Sequence, residues 1–333
     1  MKIAILTPQL SVGGAEIDMC YLANNLYDYG HDINLYTYCS GPLERILKIQ
    51  SMDMPNRLSD KFDLVIVMGP DVFRKQLLQF KKPIINYVCN ITPGYFSATI
   101  RDKYKFAAHL VDSQNTYEFV YNIDKNIHII NNWYYMRNPD CMQVQPDYKR
   151  YGVSESQSIV GTICKHRLVK NIPRLIDVFK KANIDNAIFI IGGDGPETKR
   201  WKLYGQNILG DKCKFVEAIK QDDLGAFYSS IDVFLNQYVD FAGGRCLTSS
   251  EASAAGCYII TNQYGGAKEN ILVNNGCVIN DNIFDDIAPQ KLKEFFGMSK
   301  QDRQILRNNA KQHYVQLYKN QFNIGKYLDD HYS

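Results

Sequence analysis

The chain opens Met1-Lys2-Ile3-Ala4-Ile5-Leu6-Thr7-Pro8-Gln9-Leu10-Ser11-Val12-Gly13-Gly14-Ala15-Glu16, and the residues up to 38 complete the unit that decides the fold. Lys2–Thr7 is a short apolar run that reads as a strand and breaks at the turn Ser11-Val12-Gly13-Gly14. Ile17, Tyr21, Leu22 and Leu26 then recur on one face of a helix that ends at Gly30, and Asp32–Tyr38 reads as a second strand. Strand, glycine turn, helix, strand is a βαβ unit, and such a unit implies a parallel sheet.

The same grammar continues outward. Phe62–Met68, Pro83–Val88, His109–Asp112 and Asn126–Ile130 read as further strands between helical stretches, completing one doubly wound domain over residues 1–145. From Asp140 to Ser158 the sequence turns polar around Pro139, Pro146 and Gly152 and loses its period, which reads as a linker. A second alternating set follows over 151–310. Its strands are Ser158–Ile163, Ala187–Ile191, Lys214–Val216, Val233–Asn236 and Tyr258–Thr261, and its helices include Ile172–Ala182, Asp223–Ser229 and Ser249–Ala255. Residues 311–333 form a helical tail, part of a helical stretch from Lys300 with Leu306, Tyr314, Leu317 and Tyr318 at helical spacings, and these helices are expected to cross back to the first domain. The expected fold class is α/β, two Rossmann-like parallel-sheet domains facing a cleft.

Composition narrows the function classes. The 333 residues suit two domains of ordinary size, and 45% hydrophobic with 22% charged residues is a globular balance. The formal charge, 38 − 35 = +3, does not by itself call for nucleic acid or an anionic membrane. Nine cysteines are scattered without a C-x-x-C pair, which points to reduced, mostly buried thiols. Met1–Pro8 reads as a strand seed rather than a signal peptide, and no apolar run reaches membrane-spanning length. The expected location is cytoplasmic, with peripheral membrane contact an added expectation.

Four segments carry the chemistry. Residues 11–16 (SVGGAE) place glycines at a strand-to-helix turn, where backbone amides and the helix dipole receive phosphate, though a tight turn alone also requires glycine there. The stretch lacks the third glycine of a dinucleotide fingerprint. Lys165-His166-Arg167-Leu168-Val169-Lys170-Asn171 gathers four basic or potentially basic side chains where a strand hands over to a helix, at the ligand-binding carboxyl edge of the sheet. A solvated face reads equally well from that segment alone. Residues 192–197 (GGDGPE) end a buried strand, with Pro196 opening the next helix. Last, a strand ending near Asn236 leads through Asp240, Gly243, Gly244 and Arg245 into a small-residue helix, 251–256 (EASAAG), and residues 261–271 (TNQYGGAKENI) repeat the glycine turn. Glu251 sits in an otherwise apolar helix and needs a hydrogen-bonding partner.

Taken in order, these segments resemble the retaining glycosyltransferases of GT-B fold, family 4, over nearly the whole chain. SVGGAE is similar to the family's N-terminal glycine loop, and the stretch from Lys165 to Asn171 to its R-x-x-P-x-K-N pattern. GGDGPE resembles the GxGPE turn, and EASAAG with TNQYGGAKENI the EAxAxG…GGxxE signature. The resemblance implies a nucleotide-diphosphate sugar as co-substrate, a UDP-sugar favoured, with no other cofactor and no metal. It implies that Lys165 and Lys170 contact the donor diphosphate, that Gly13, Gly14, Arg167, Gly243, Gly244 and Arg245 line the donor, and that Glu251 holds the ribose. Lysine at position 165 keeps the charge of the family's arginine without its bidentate geometry, which Arg167 then shares.

Two positions depart from the pattern. The loop glutamate that touches the transferred sugar is replaced by Gly243, leaving Asp240 as the nearby carboxylate that either substitutes for it or caps the loop. A histidine frequent on the fourth strand of the first domain is replaced by Asn90, which offers a hydrogen bond on the sugar and acceptor side but no titration. The expected function is sugar transfer with retention to a carbohydrate or lipid-linked acceptor, in surface polysaccharide or glycolipid synthesis, with no stable protein partner. Two alternatives stand beside it. One is glycosylation of modified DNA bases, for which Arg101, Lys103 and Lys105 near Tyr95 and Tyr104 supply a basic rim. The other is a non-catalytic nucleotide-sugar binder.

Overall fold

A computed structural model of the chain describes residues 1–89, 104–123, 125, 128–130, 135–239, 244–271 and 275–333. The chain divides into two units, Met1–Tyr135 with Phe241–Gly244 and Gln321–Ser333, and Met136–Asp240 with Arg245–Asn320. Each is built around a parallel sheet, so the doubly wound reading of both halves holds.

In the first unit the described strands are β1 (Lys2–Gln9), β2 (Asp32–Cys39), β3 (Ser51–Asp53), β4 (Leu64–Met68), β5 (Ile84–Val88), β6 (Ala108–Val111) and β7 (Ile129–Ile130), in the order 3-2-1-4-5-6-7. Helix α1 (Gly14–Tyr29) connects β1 to β2, which pair in parallel from Lys2–Asp32 to Gln9–Cys39. Leu64, Val65, Ile66, Val67 and Met68 are all buried, as expected of a central parallel strand covered on both faces. β3 carries no sequence signal: Ser-Met-Asp is short and polar, and it survives as the edge strand beside β2.

The second unit repeats the plan. Its strands are β8 (Ser158–Ile163), β9 (Ala187–Gly192), β10 (Cys213–Val216), β11 (Val233–Leu235), β12 (Tyr258–Asn262) and β13 (Gly276–Ile279), in the order 10-9-8-11-12-13. Strand order reverses between β8 and β11, and in open α/β sheets that reversal opens a crevice at the carboxyl ends. Helix α2 (Ile172–Ala182) turns Ile172, Leu175, Ile176 and Phe179 onto the sheet at helical spacing. Further helices are α3 (Thr198–Leu209), α4 (Leu224–Ser229), α5 (Leu247–Ala255), α6 (Phe284–Gly297) and α7 (Lys300–Lys319). β13 and α6 are absent from the sequence reading: Gly-Cys-Val-Ile is four residues behind an Asn-Asn pair, and Pro289 interrupts the helical pattern of α6.

The helical tail separates into two elements. α7 packs on α5 within the second unit, whereas α8 (Ile324–Tyr332) belongs to the first unit and packs on α1. Gly325 is needed there, because a β-carbon would run into the ring of Tyr29. The stretch after Pro139, read as the start of a linker, begins with a short helical turn, Pro139–Met142, capped by Asn138 and placed with the second unit. All nine cysteines are unpaired thiols, with Cys39 and Cys141 exposed. No described helix is long and apolar enough to cross a membrane.

Phe189 of β9 is fully buried and stacks on Phe179 with centroids 5.4 Å apart. Phe189→Ala is expected to cost about 3–5 kcal/mol of stability through lost burial and a residual cavity, read as a lowered urea midpoint with an unchanged slope.

Candidate functional site

The carboxyl edge of the second sheet is assembled from two loops packed back to back. The segment leaving β8 and the glycine turn leaving β9 are joined by backbone bonds from Cys164 N–H to the Gly192 carbonyl (3.2 Å), from His166 N–H to Asp194 (2.8 Å) and from Glu197 N–H to His166 (3.1 Å). Gly193 has φ of 116°, and a β-carbon on it would run into the Cys164 carbonyl oxygen. Residues 192–197 therefore serve as the bed on which the basic loop lies, which is a packing role.

Of the four basic or potentially basic side chains in that loop, three face outward. His166 is buried with its ring between Trp201 and Phe215, and its nitrogens are engaged by Thr198 Oγ1 (2.8 Å) and the Gly192 carbonyl (3.3 Å). Burial pushes its pKa below the ordinary 6.5, so it does not join the cationic group at neutral pH. Lys165 and Arg167 are exposed and Lys170 is half-buried. None of the three has a carboxylate partner among the described residues; the ion pairs of this unit are made by other cations.

Lys170 is tied to the next strand by a ring. Its ammonium lies 5.6 Å from the centroid of Tyr238, just beyond β11, and its carbonyl accepts from Gln237 Nε2 (3.2 Å). The Tyr238 hydroxyl in turn contacts Ser249 Oγ (3.0 Å) and Cys246 Sγ at the start of α5. Beneath them, Arg174 of α2 bonds Gln237 (3.2 Å) and Asp281 (2.6 Å), and Asn262 links Asp281 (2.8 Å) to the Tyr238 backbone. This lattice holds the ends of β11 and β12 and the first turn of α2 in one frame. Cys164 lies under it: burial pushes its thiol up to about 12, with Lys170 opposing the shift.

The N-terminus of α5 has no side-chain cap, and Ser250 makes the first helical bond, back to Cys246. The amides of Leu247, Thr248 and Ser249 therefore point out of the helix where its dipole is positive. The second unit thus carries three cations on the loop after β8 and an uncapped helix end at α5, groups whose chemistry suits an anion.

Glu251 is buried and has partners within the fold. It is 3% exposed, and both carboxylate oxygens are occupied: Oε1 accepts from Arg137 Nε (2.9 Å) and lies 2.9 Å from Arg137 Nη2, and Oε2 accepts from the Tyr228 hydroxyl (3.0 Å). Burial raises its pKa, and Arg137 and Tyr228 oppose that rise. Arg137 is 7% exposed, bonds the Gln221 carbonyl (3.2 Å) as well, and its own carbonyl accepts from Tyr314 of α7 (3.1 Å). The partner that a carboxylate in EASAAG requires is therefore an arginine 114 residues earlier in the chain, in a polar stretch with no motif to mark it.

The other expected residues scatter more. Arg245 is anchored by Asn270 Oδ1 (2.9 Å) and the Glu269 carbonyl (3.3 Å), which fixes it to the glycine turn after β12. Gly13 and Gly14 belong to the first unit, where the Glu16 carboxylate folds over Gly13 and accepts from Gln9 (2.9 Å), so the start of α1 already faces an anion. Gly244, also in the first unit, lies against Asp112, whose carboxylate a β-carbon would meet at 2.7 Å. Asn90, Asp240 and Gly243 lie outside the described residues, as do Tyr95, Arg101 and Lys103 of the basic rim. Tyr104 from that rim is buried and donates to Asp71 (3.3 Å), while Lys105 is exposed. No group of three His, Cys, Asp or Glu side chains among the described residues is arranged to hold a metal.

Two units, each built on a parallel α/β sheet, define a Rossmann-like two-domain protein of the GT-B type. Residues 145–313, half of the chain, match the family described as glycosyl transferases group 1, and the chain belongs to that family. It is 32% identical over 152 residues to a GDP-mannose-dependent alpha-(1-6)-phosphatidylinositol monomannoside mannosyltransferase of Mycobacterium tuberculosis, a match that covers 42% of this chain and 38% of that relative. Among solved structures, Anabaena HepE in complex with UDP and glucose superposes with a TM-score of 0.78 at 16% identity, covering 95% of both chains. WaaG, a glycosyltransferase involved in lipopolysaccharide biosynthesis, superposes at 0.69 with 13% identity, over 94% of this chain and 95% of that one. At such identities the superpositions establish the fold.

Two outcomes test this geometry. Arg137→Ala and Glu251→Ala each strand a buried charge and are expected to lose about 3–5 kcal/mol, with the loss in the double variant well short of additive, measured by urea unfolding. His166 binds its proton less readily folded than unfolded, so its stabilising contribution is full above pH 6.5 and declines as pH falls below it. Unfolding midpoints followed from about pH 7.5 to about pH 5 should show that decline in the wild type and a shallower one in His166→Gln.

Proposed function

We propose that this chain transfers a sugar from a nucleotide-diphosphate sugar to an acceptor hydroxyl, with retention of anomeric configuration. The observation that carries the reading is the set Lys165, Arg167 and Lys170, gathered without a described carboxylate partner beside the uncapped start of α5. Like charges held together at a strand-order reversal suit a diphosphate, whose two phosphates they neutralise.

In the proposed reaction the bond between C1 of the sugar and the diphosphate oxygen breaks, and the acceptor oxygen bonds to C1 from the same face. Negative charge grows on the leaving oxygen, where Lys165, Lys170 and the amides of Leu247–Ser249 stabilise it, on the order of 3 kcal/mol for each well-placed donor. The leaving diphosphate takes the acceptor proton, so no separate carboxylate base is required. Arg167 and Arg245 add positive field. Asp240 and Asn90 are proposed at the sugar, and Gly13, Gly14, Gly243 and Gly244 as the close-approach backbone.

The family resemblance puts Glu251 at the donor ribose. Arg137 Nε and the Tyr228 hydroxyl donate to its two oxygens and Arg137 Nη2 lies 2.9 Å from Oε1, so most of the roughly four acceptor positions of the carboxylate are taken. One position on Oε2 is left for a ribose hydroxyl, and the dominant role of Glu251 is to anchor α5 so that its N-terminus faces the diphosphate. A UDP-sugar is the proposed donor, supported by the UDP in the Anabaena complex; the GDP-mannose of the mycobacterial relative makes a GDP-sugar the competing result. The acceptor is proposed to be a lipid-linked or growing surface carbohydrate, in keeping with that relative's phosphatidylinositol mannoside and with the lipopolysaccharide role of WaaG. The chain is proposed to act in the cytoplasm, at the membrane face where such acceptors lie.

A thermal-shift panel of nucleotide sugars should single out one donor, because a tight ligand raises apparent stability by mass action. Lys170→Ala and Lys165→Ala should each weaken binding of that donor by about 1.5–3 kcal/mol while the unliganded melting temperature stays put. Unchanged affinity in both variants rejects the site, and tight donor binding without donor hydrolysis or transfer assigns the chain to non-catalytic binding instead.

A further inference from the structure

The opposite edge of the second sheet, where the strands begin, holds a cavity of about 320 Å3. Its floor is made by Ser158 at the head of β8, Asp232 just ahead of β11, and Tyr258 at the head of β12. Its roof is one face of α7, from which Lys300, Arg303 and Arg307 project three and four residues apart. Helix α5 runs between this edge, at its cap Gly256, and the donor edge, at Cys246.

The charges around the cavity do not cancel. Arg307 is committed to the fold: Nη2 donates to the carbonyls of Ser229 (3.1 Å) and Ile231 (2.7 Å), and Nη1 lies 3.8 Å from Asp232. Asp232 is committed too, accepting from Ile159 N–H (2.8 Å), so these two charges answer each other. Arg303 adds its field to Asp232 but makes no ion pair among the described residues. Its guanidinium lies over the rings of Phe295 and Phe296, 6.0 and 5.8 Å from their centroids, and its Nε is buried without a hydrogen-bond partner. Lys300 is exposed at the mouth, with no carboxylate partner among the described residues, and Glu155 on the facing rim is exposed to water.

An anion in the cavity would supply the ion pair that Arg303 lacks among the described residues, on the open face of its guanidinium. A second cation one helical turn away calls for a ligand with more than one charge. The volume is at the small end of metabolite pockets, too small for a nucleotide sugar. We propose that this cavity is a second ligand site, for a compact phosphate-bearing anion such as a phosphomonoester, gripped by Arg303 and Lys300. The site is separate from the donor edge and stands whether or not the transferase reading does.

Calorimetric titration with inorganic phosphate, glycerol 3-phosphate and succinate tests the site on the full chain. A Lys165→Ala/Lys170→Ala variant removes phosphate binding at the donor edge, and binding at the Arg303–Lys300 cavity should persist in it. In that background Arg303→Gln is expected to weaken glycerol 3-phosphate at least about tenfold, the loss of one charge-assisted bond, and Lys300→Ala to weaken it by a smaller factor. Should Arg303→Gln fail to fold, Lys300→Glu at its exposed position carries the same test by charge reversal. No binding of either phosphate, binding as tight for succinate, or binding indifferent to Arg303 and Lys300 overturns the proposal.

Discussion

The chemistry of the second unit turns on Lys165, Arg167 and Lys170, three cations at one strand end with no carboxylate partner among the described residues. A chain that only had to fold would disperse these charges or pair them with carboxylates, as it does for Arg174 with Asp281 and Asp285 a few residues later. Instead the loop is bedded rigidly on the turn at Gly193, Lys170 is steadied over Tyr238, and the helix beyond begins without a cap. The strand-order reversal between β8 and β11 provides the place where an anion would meet them.

Glu251 and Arg137 show the contrasting use of charge. Both are almost fully buried, and each offsets the desolvation penalty of the other because two Arg137 nitrogens meet Oε1 while Tyr228 serves Oε2 and Gln221 accepts from the guanidinium. The pair joins α5 to the chain just after the first unit ends at Tyr135, with α7 bonded to the same arginine. A buried polar contact thus anchors α5 one helical turn below its uncapped start.

Much of the architecture was legible because buried parallel strands leave continuous apolar runs and glycine turns punctuate them. Leu64–Met68 and Ala187–Ile191 are such runs, and both are central strands. Edge elements were not legible. β3 and β13 are three and four residues long, half-exposed, and held mainly by a neighbour's backbone, so side-chain pattern carries little of their stability. At the site, the outward set Lys165, Arg167 and Lys170 was readable from charge at a strand end. His166 was not separable from it, because only the packing of Trp201 and Phe215 turns that ring inward. Arg137 was invisible, since nothing local in residues 135–139 distinguishes a buried arginine from a solvated one.

The central claim is that a nucleotide diphosphate docks at the carboxyl edge of the second sheet. A crystal structure of the protein with the nucleoside diphosphate of its preferred donor tests it most directly. The account predicts phosphate oxygens within hydrogen-bond reach of Lys165 or Lys170 and of the amides at Leu247–Ser249, with the Arg137–Glu251 pair intact. Diphosphate density elsewhere, with these lysines still turned to solvent, would contradict it.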